Sequence, residues 1–290
     1  QAQWRATGAL ARAAALYGSD DGGRSWFPAT NDLPPALITA LYVDPVSGDL
    51  LAGLRELSGV APGSGGLWRS RAAQGVALGR RWQKVALPMD GLFVTSLLRS
   101  RDGRSLLLAG NATEGQQGLR LYRQVDEESG WQGLPFAGDV VTPTASLELL
   151  AAPGSSGRIL GILGNGALIT SMDGGETWAA ASAFGQPNQG GGTLRIAFSA
   201  DRPYLGLAVL GPGGEAAGAP RILASRDLGA TWVSLVSQGL PTGGVPRHLA
   251  ALPGGAFLLN LDVGTYRSID GGATWQALEG LLSSGALFAT

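Results

Sequence analysis

The chain has 290 residues, a formal net charge of −1 and no cysteine. The near-neutral charge argues against a partner that is nucleic acid or a broadly anionic membrane, and the lack of cysteine excludes disulfides and thiolate metal sites. No apolar run reaches the length that a transmembrane segment needs.

Short β-rich segments separated by turn residues predict strands along the whole chain. Near the N-terminus, Ala9 to Leu16 is predicted as a strand, and Trp4 is predicted to start an outer strand. The stretch from Ile38 to Ala86 then predicts a unit of four strands, which are Ile38–Val43, Leu50–Leu54, Leu67–Ser70 and Trp82–Ala86. The last unit repeats this order in Arg247–Ala251, Ala256–Asp262, Thr265–Ser268 and Trp275–Leu278.

One motif, Ser-x-Asp-x-Gly-x-Thr-Trp, recurs between the third and fourth predicted strands, and we call it the box. Good copies span 19–26, 171–178, 225–232 and 268–275, and weaker copies span 124–131 and 70–82. A repeat of this period indicates stacked supersecondary units. The six box tryptophans therefore predict six units.

The two chain ends together supply one more repeat, because 26 residues run up to and include Trp26 and 15 follow Trp275. A ring closed between the termini would leave no exposed sheet edge. The sequence thus predicts an all-β, six-bladed β-propeller of four-stranded antiparallel blades, with one blade closed between the N- and C-termini. We expect a single domain over 1–290, with blades near 37–87, 93–135, 144–182, 193–236, 246–279, and 285–290 plus 1–30. Seven blades are the alternative if Gln1 to Ala15 holds more strands.

The box itself is predicted to be a structural turn. Its aspartate can accept hydrogen bonds from nearby amides, its glycine allows backbone conformations that other residues avoid, and its tryptophan offers a large apolar face. A calcium loop is the alternative, but the EF-hand spacing is absent. The predicted structural set is Asp21, Trp26, Asp126, Trp131, Asp173, Trp178, Asp227, Trp232, Asp270 and Trp275.

The segment from Tyr266 to Trp275 resembles the Asp-box, or bacterial neuraminidase repeat (BNR), and the resemblance recurs along nearly the whole chain. Proteins with this repeat include sialidases, xyloglucan-cleaving glycosidases, sortilin-type receptors and photosystem II assembly factors. The resemblance implies a β-propeller, and it implies that the box lies away from the ligand face. It does not imply an activity, because fold does not determine function.

No catalytic set can be assembled from the sequence. The early Arg-Ile-Pro signature of sialidases is missing, and nothing pairs the remaining carboxylate candidates Glu148, Asp139, Asp262 and Glu215 as a glycosidase requires. His248 is the one histidine, so it cannot build a multi-histidine metal site. No catalytic residue, metal site or cofactor is predicted.

Alignment of the first strands of the units on their following turns gives a candidate binding site. One aligned position of the first strands is then occupied by Thr39, Thr95, Leu147, Arg195 and Arg247. The next position along the strand includes Glu148 and His248. Arg195 and Arg247 would stand near one mouth of the central channel, with Glu148 and His248 nearby. We predict an anion or carboxylate site there. A structural salt bridge or a solvated channel rim is the alternative.

The combined pattern favours a non-catalytic protein-binding or scaffold propeller, an exported accessory subunit of a larger complex with its signal peptide removed. Protein partners are expected. The alternative is a carbohydrate-active, sialidase-like glycosidase or a glycan-binding lectin. Long loops at Arg55 to Gly66, Ala72 to Arg81 and Gly211 to Pro220 could dock a partner or pack onto their own blades; their apolar residues are Leu57, Val60, Val76 and Leu78.

Overall fold

The computed structural model describes residues 3–7, 15–19, 21, 24–57, 63–72, 78–100, 103–112, 118–135, 147–153, 157–164, 167–180, 193–199, 201–202, 204–211 and 218–278. Within these ranges the regular structure is β, apart from one 3-10 turn at Pro253–Gly255. All strand pairs that form the sheets are antiparallel.

The strands form six sheets that follow one another along the chain. The first sheet has three strands, β1 (Gln3–Thr7), β2 (Ala15–Ser19) and β3 (Phe27–Pro28). The next two have four strands each: β4 (Ala36–Val43), β5 (Leu50–Glu56), β6 (Gly66–Ser70) and β7 (Gln83–Val85), then β8 (Leu92–Arg99), β9 (Leu106–Ala112), β10 (Gly118–Gln124) and β11 (Trp131–Leu134).

The remaining three sheets are also four-stranded. They contain β12 (Leu147–Ala151), β13 (Ile159–Leu163), β14 (Leu168–Ser171) and β15 (Ala179–Ala180); β16 (Leu194–Phe198), β17 (Gly206–Leu210), β18 (Arg221–Ser225) and β19 (Val233–Leu235); and β20 (Pro246–Leu252), β21 (Ala256–Leu261), β22 (Gly264–Ser268) and β23 (Gln276–Ala277). The predicted all-β class with four-stranded antiparallel units is confirmed.

The chain divides into two compact units. The first consists of Gln1–Leu149, Gly175–Thr177 and Phe288–Thr290, and the second of Leu150–Gly174 and Trp178–Leu287.

The N-terminal sheet corrects one prediction. Trp4 lies in β1, which pairs with β2 on the side away from β3, whereas β3 is the strand that follows the box. Trp4 therefore does not start an outer strand. Of the predicted Ala9 to Leu16 strand, the described part begins at Ala15. The predicted closing segment 285–290 lies outside the described residues, and β1 is the one strand described within 1–14.

Burial follows the position of each strand within its sheet. The second strands are buried on both faces, as at Leu50–Leu54, Ile159–Leu163 and Gly206–Leu210. The short fourth strands, such as β7 and β19, are mostly exposed. A strand covered on both faces needs a continuous apolar run rather than an alternating one, which is what these second strands show. The hydrophobic core of each of the two compact units thus lies between its neighbouring sheets.

The box closes a turn with a repeated set of hydrogen bonds. In the copy at 225–232, one carboxylate oxygen of Asp227 accepts from the Ser225 hydroxyl (2.9 Å) and from the Thr231 amide (2.8 Å), and the other accepts from the Thr231 hydroxyl (2.6 Å). The Gly229 amide donates to the Ser225 hydroxyl, and its carbonyl accepts from the Trp232 indole. Asp270 repeats the carboxylate pattern with Ser268 and Thr274.

The weak copy at 70–82 closes without an aspartate. The Gly79 amide donates to the Ser70 hydroxyl at 2.8 Å, and the Trp82 indole donates to the Gly79 carbonyl at 3.0 Å. These are the bonds that Gly229 makes in the full motif. Gly79 has a φ of 80°, which favours glycine because it lies in the left-handed region. The serine, glycine and tryptophan therefore suffice to close the turn.

Two box tryptophans depart from the predicted packing. Trp26 is 41% exposed, whereas Trp82, Trp178, Trp232 and Trp275 are buried. Trp131 keeps its ring against the core of the β4–β7 and β8–β11 sheets, but its buried indole nitrogen has no hydrogen-bond partner among the described residues. In that copy Glu128 occupies the place three residues before the tryptophan, where the other closed boxes have a glycine.

The carboxylate of Asp21 provides a test of the box turn. The Ser25 hydroxyl and the Ser25 amide both donate to it and lower the pKa of Asp21 to about 2. We expect Ser25→Ala to raise this pKa toward its ordinary value of 3.8, and Ser25→Thr to leave it low. Carbon NMR titration of the Asp21 carboxyl group checks both. An unchanged pKa in Ser25→Ala would contradict the role of the hydroxyl.

Candidate functional site

The two arginines of the predicted site lie at the same end of neighbouring strands in the second unit. Arg195 is the second residue of β16 and Arg247 the second residue of β20. The Arg195 Nε donates to the Arg247 carbonyl at 2.7 Å, and its Nη1 donates to the Leu194 carbonyl at 2.9 Å. The structure therefore brings these two residues together, and two backbone oxygens orient the Arg195 guanidinium.

Similar bonds, from a side chain on the first strand of one sheet to a backbone carbonyl on the first strand of another, occur elsewhere in the chain. In the first unit, the Thr39 hydroxyl donates to the Val94 carbonyl on β8 at 2.6 Å, and the Thr95 hydroxyl donates to the Leu147 carbonyl on β12 at 3.1 Å. Thr39, Thr95 and Arg195 are the residues that the sequence alignment made equivalent. The position thus joins one sheet to the next, and arginine takes over this structural role in the second unit while adding a positive charge.

His248 follows Arg247 on β20 and is half-buried. Burial lowers the pKa of His248, and the positive charges of Arg195 and Arg247 lower it further, so the imidazole is neutral near pH 7. Its neighbour across the strand pair is Asn260, a buried residue whose Nδ2 donates to the Thr265 hydroxyl at 3.0 Å. Within the part of the chain that the structure describes, the Asn260 Oδ1 has no hydrogen-bond partner. His248 therefore lies beside the arginine pair without adding a charge at neutral pH.

Asp262 is the carboxylate found near Arg247. Its Oδ1 accepts from the Val245 amide at 2.7 Å, and its Oδ2 lies 3.8 Å from Arg247 Nη2. The Arg247 side chain is nevertheless 54% exposed. A pair at this separation and exposure contributes little to stability, so an incoming carboxylate can replace it at small cost.

Glu148, the remaining member of the predicted site, lies on β12 among the residues of the first unit and is exposed. Its predicted proximity to the two arginines stays a prediction. Asp139 and Glu215, which the sequence left as carboxylate candidates, fall outside the described residues.

Several other arginines bind acidic groups within the framework. Arg69 pairs with Glu127 and lies near Asp49, and Arg123 pairs with Glu176. Glu127 and Glu176 belong to the boxes of the sheets that follow. Arg69 and Arg123 occupy equivalent places in the repeat, since each follows an aromatic residue of a third strand, Trp68 or Tyr122. The sequence does not identify their acidic partners, because those acids fall at different positions within their boxes.

The apolar residues of the predicted long loops differ in where they lie. Leu78 packs against the core shared by the β4–β7 sheet and the first sheet, so this loop residue folds back onto its own framework. Leu57 is half-buried, and Val60 and Val76 lie outside the described residues.

The described part of the chain contains no group of three or more histidine or acidic side chains suited to hold a metal ion. It also contains no helix with the length and apolarity that crossing a bilayer demands.

No protein-family model matches this sequence, and no curated protein matches it. Solved structures do match. An ancestral GH74 enzyme is 15% identical with a TM-score of 0.64, and the match covers 94% of this chain and 38% of the enzyme. YCF48 bound to D1 peptide is 14% identical with a TM-score of 0.53, over 84% of this chain and 67% of YCF48.

A protein of unknown function from Dyadobacter fermentans DSM 18053 is also similar. It is 17% identical with a TM-score of 0.54, over 91% of this chain and 82% of the other. This chain spans well under half the length of the GH74 enzyme. At these identities the likeness concerns the fold alone. Together with the six successive antiparallel sheets, it defines a protein of the β-propeller class.

Proposed function

We propose that this chain is an Asp-box propeller that acts as a non-catalytic protein-binding or scaffold module, with Arg195 and Arg247 as its contact for an acidic polypeptide segment. The observation that carries the proposal is the 2.7 Å bond from Arg195 Nε to the backbone carbonyl of Arg247, which holds the Arg195 guanidinium beside the strand that carries Arg247. Guanidinium groups bind carboxylates through paired, charge-assisted hydrogen bonds.

The state of the acidic side chains supports a binding role over hydrolysis. Glycosidases need two carboxylates that face each other across a bond. Asp21, Asp227 and Asp270 are occupied by hydrogen bonds within their own boxes. Asp262 is held by the Val245 amide. A polypeptide ligand is also supported by YCF48, a protein of similar fold whose structure contains a bound D1 peptide.

The proposal includes an exported location as an accessory subunit of a larger assembly. Fractionation of the source cells tests it. Recovery in the cytoplasmic fraction alone would contradict export without affecting the binding site.

Affinity capture from the native source, followed by mass spectrometry, tests the binding role. The wild type, the Arg195→Gln/Arg247→Gln double variant and Arg221→Gln are compared. Arg221 is a matched control because it is an exposed arginine of β18 in the same unit. We expect the double variant to lose about tenfold in captured partner, which corresponds to ~1.4 kcal/mol, and the control to match the wild type.

Equal capture by all three proteins would overturn the role of the arginine pair. Hydrolysis of glycosides by the purified chain would overturn the non-catalytic assignment. Binding to a glycan array without cleavage would favour the lectin alternative.

A further inference from the structure

Two cavities flank one end of the β4–β7 sheet in the first unit, and neither includes a residue of the arginine site. At this end β4 begins with Ala36, β5 ends with Glu56, β6 begins with Gly66 and β7 ends with Val85. One cavity has a volume of about 210 Å³ and the other of about 340 Å³. The larger falls within the size range of ligand sites.

The smaller cavity is apolar and rigidly walled. Its lining includes Leu33, Pro34, Pro35, Ile38 and Leu54, and Thr30 adds a hydroxyl. Proline fixes φ, so the two-proline wall loses little conformational freedom when a ligand binds. The chemistry suits one apolar side chain.

The larger cavity combines apolar and charged groups. Leu87 and Met89 supply apolar surface, and Lys84 and Asp90 supply opposite charges. The Lys84 ammonium already donates to the Gly63 carbonyl at 2.6 Å. Asp90 is exposed and forms no ion pair with any described residue. Asp90 can therefore pair with a ligand cation on an aliphatic stem, as in lysine or arginine, and that stem can pack on the apolar side chains.

The two cavities lie close together on opposite faces of this sheet end. Leu54 lines the smaller one, Gly66 lines the larger, and these residues are direct partners across β5 and β6. The side chains of Leu33, Ile38 and Leu54, which line the smaller cavity, belong to the core on one face of the sheet. Those of Leu87, Met89 and Leu92, which line the larger cavity, belong to the core on the other face. Packed sheet layers are ~10 Å apart and an extended chain rises ~3.3 Å per residue, so roughly three residues span the distance between faces.

We propose that this sheet end binds an extended polypeptide segment with an apolar residue in the smaller cavity and a lysine or arginine in the larger one, roughly three residues along. The segment lies across the end of the sheet and places its cation at Asp90. This site differs in charge preference from the arginine pair, which lies in the other unit and attracts acidic groups. Failure of either site therefore leaves the other untouched.

The two methionines of the chain can report on binding at this site. Met89 lines the larger cavity, and Met172, the other of the two methionines, belongs to the second unit. Labelling both methyl groups with ¹³C gives one probe signal and one internal control. The ligand probe is the capped peptide acetyl-Gly-Leu-Ser-Ser-Arg-Gly-amide, titrated into the millimolar range. Control peptides replace its leucine by serine or its arginine by glutamate.

We expect the probe peptide to shift the Met89 methyl signal saturably while the Met172 signal stays in place. Asp90→Asn is expected to weaken this binding roughly two- to fivefold, as removal of one exposed ion pair does. Asp32→Asn, which removes another exposed aspartate of the same unit, is expected to leave it unchanged. The proposal is overturned if Met89 does not respond, if both methionines respond alike, or if either control peptide binds as well as the probe.

Discussion

Replacement of Gly239 by alanine is expected to destabilise the second unit by about 3 kcal/mol. The segment from Ser237 to Gly239 follows β19 and docks on the box at 268–275. The Gln238 amide donates to the Ala273 carbonyl at 3.0 Å, and the Trp275 amide donates to the Gln238 carbonyl at 2.9 Å. A Cβ at Gly239 would fall 2.1 Å from the Trp275 carbonyl oxygen, and φ there is 86°.

The collision involves backbone on both sides, so a rotamer change cannot relieve it. Relief requires the linker to move off the box, which breaks the two backbone bonds and disturbs the Trp275 indole, a donor to the Ser237 hydroxyl at 3.1 Å. Gly243→Ala is the matched control, because Gly243 has a φ of 83° but a Cβ added there would meet no atom within 4 Å. The midpoint of urea unfolding should fall much further for Gly239→Ala. Equal losses would show that backbone conformation alone, and not contact with Trp275, decides the effect.

The second large effect is expected from the buried ion pair between Asp44 and Arg99 in the first unit. Arg99 Nε donates to Asp44 at 3.0 Å and its Nη2 donates to the other carboxylate oxygen, so the contact is bidentate. The Val46 amide and the Ser47 hydroxyl also donate to Asp44, whose side chain is 4% exposed. Arg99→Met leaves this carboxylate buried without its countercharge and is expected to cost about 3 kcal/mol.

The loss should depend on pH in a defined direction. Burial raises the pKa of Asp44, but the hydrogen bonds from Arg99 and Val46 outweigh it and hold the pKa below its ordinary value of 3.8. The pair therefore stabilises the fold above pH 3.8, and this contribution is lost as pH falls through the lowered pKa. The difference in unfolding midpoint between wild type and Arg99→Met should be largest at neutral pH and shrink on acidification.

Arg71→Gln is the control for this prediction. Arg71 pairs with Glu127 at 2.9 Å, but both side chains are 55% exposed, so the variant should lose less than about 1 kcal/mol. Losses of equal size in Arg71→Gln and Arg99→Met would contradict the importance of burial.

Most of the repeated framework could be predicted from the sequence, since local chemistry decides it. In the box at 225–232, the bonds that close the turn join a serine, an aspartate, a glycine, a threonine and a tryptophan, and these bonds stay within eight residues. The apolar run at Leu50–Leu54 similarly reports burial on both faces. The prediction for Trp4 is wrong because it treats Trp4 like the six box tryptophans, which stand where the strand after a box begins, whereas β1 pairs on the opposite side of β2.

The candidate site was predictable to the extent that it follows the repeat. Arg195 and Arg247 could be matched because the first strands share one register relative to their following turns. The hydrogen bond that joins them could not be predicted, since a guanidinium can reach several acceptors and the sequence does not rank them. The cavities beside the β4–β7 sheet could not be predicted for a related reason, since each is lined by a linker and by a strand distant from it in sequence. Pro34 lines the smaller cavity with Leu54, and Met89 lines the larger one with Gly66.

The sequence by itself thus determines the six-fold repeat, the turn that closes each box and the strand order within a sheet, because these depend on residues within one unit of the repeat. The tertiary structure alone decides which acids Arg69, Arg99 and Arg123 bind, where the Ser237 to Gly239 linker docks, and where a linker leaves a cavity beside the sheet. Those contacts join residues tens of positions apart, and they depend on the distance and angle between neighbouring sheets, which no local pattern records.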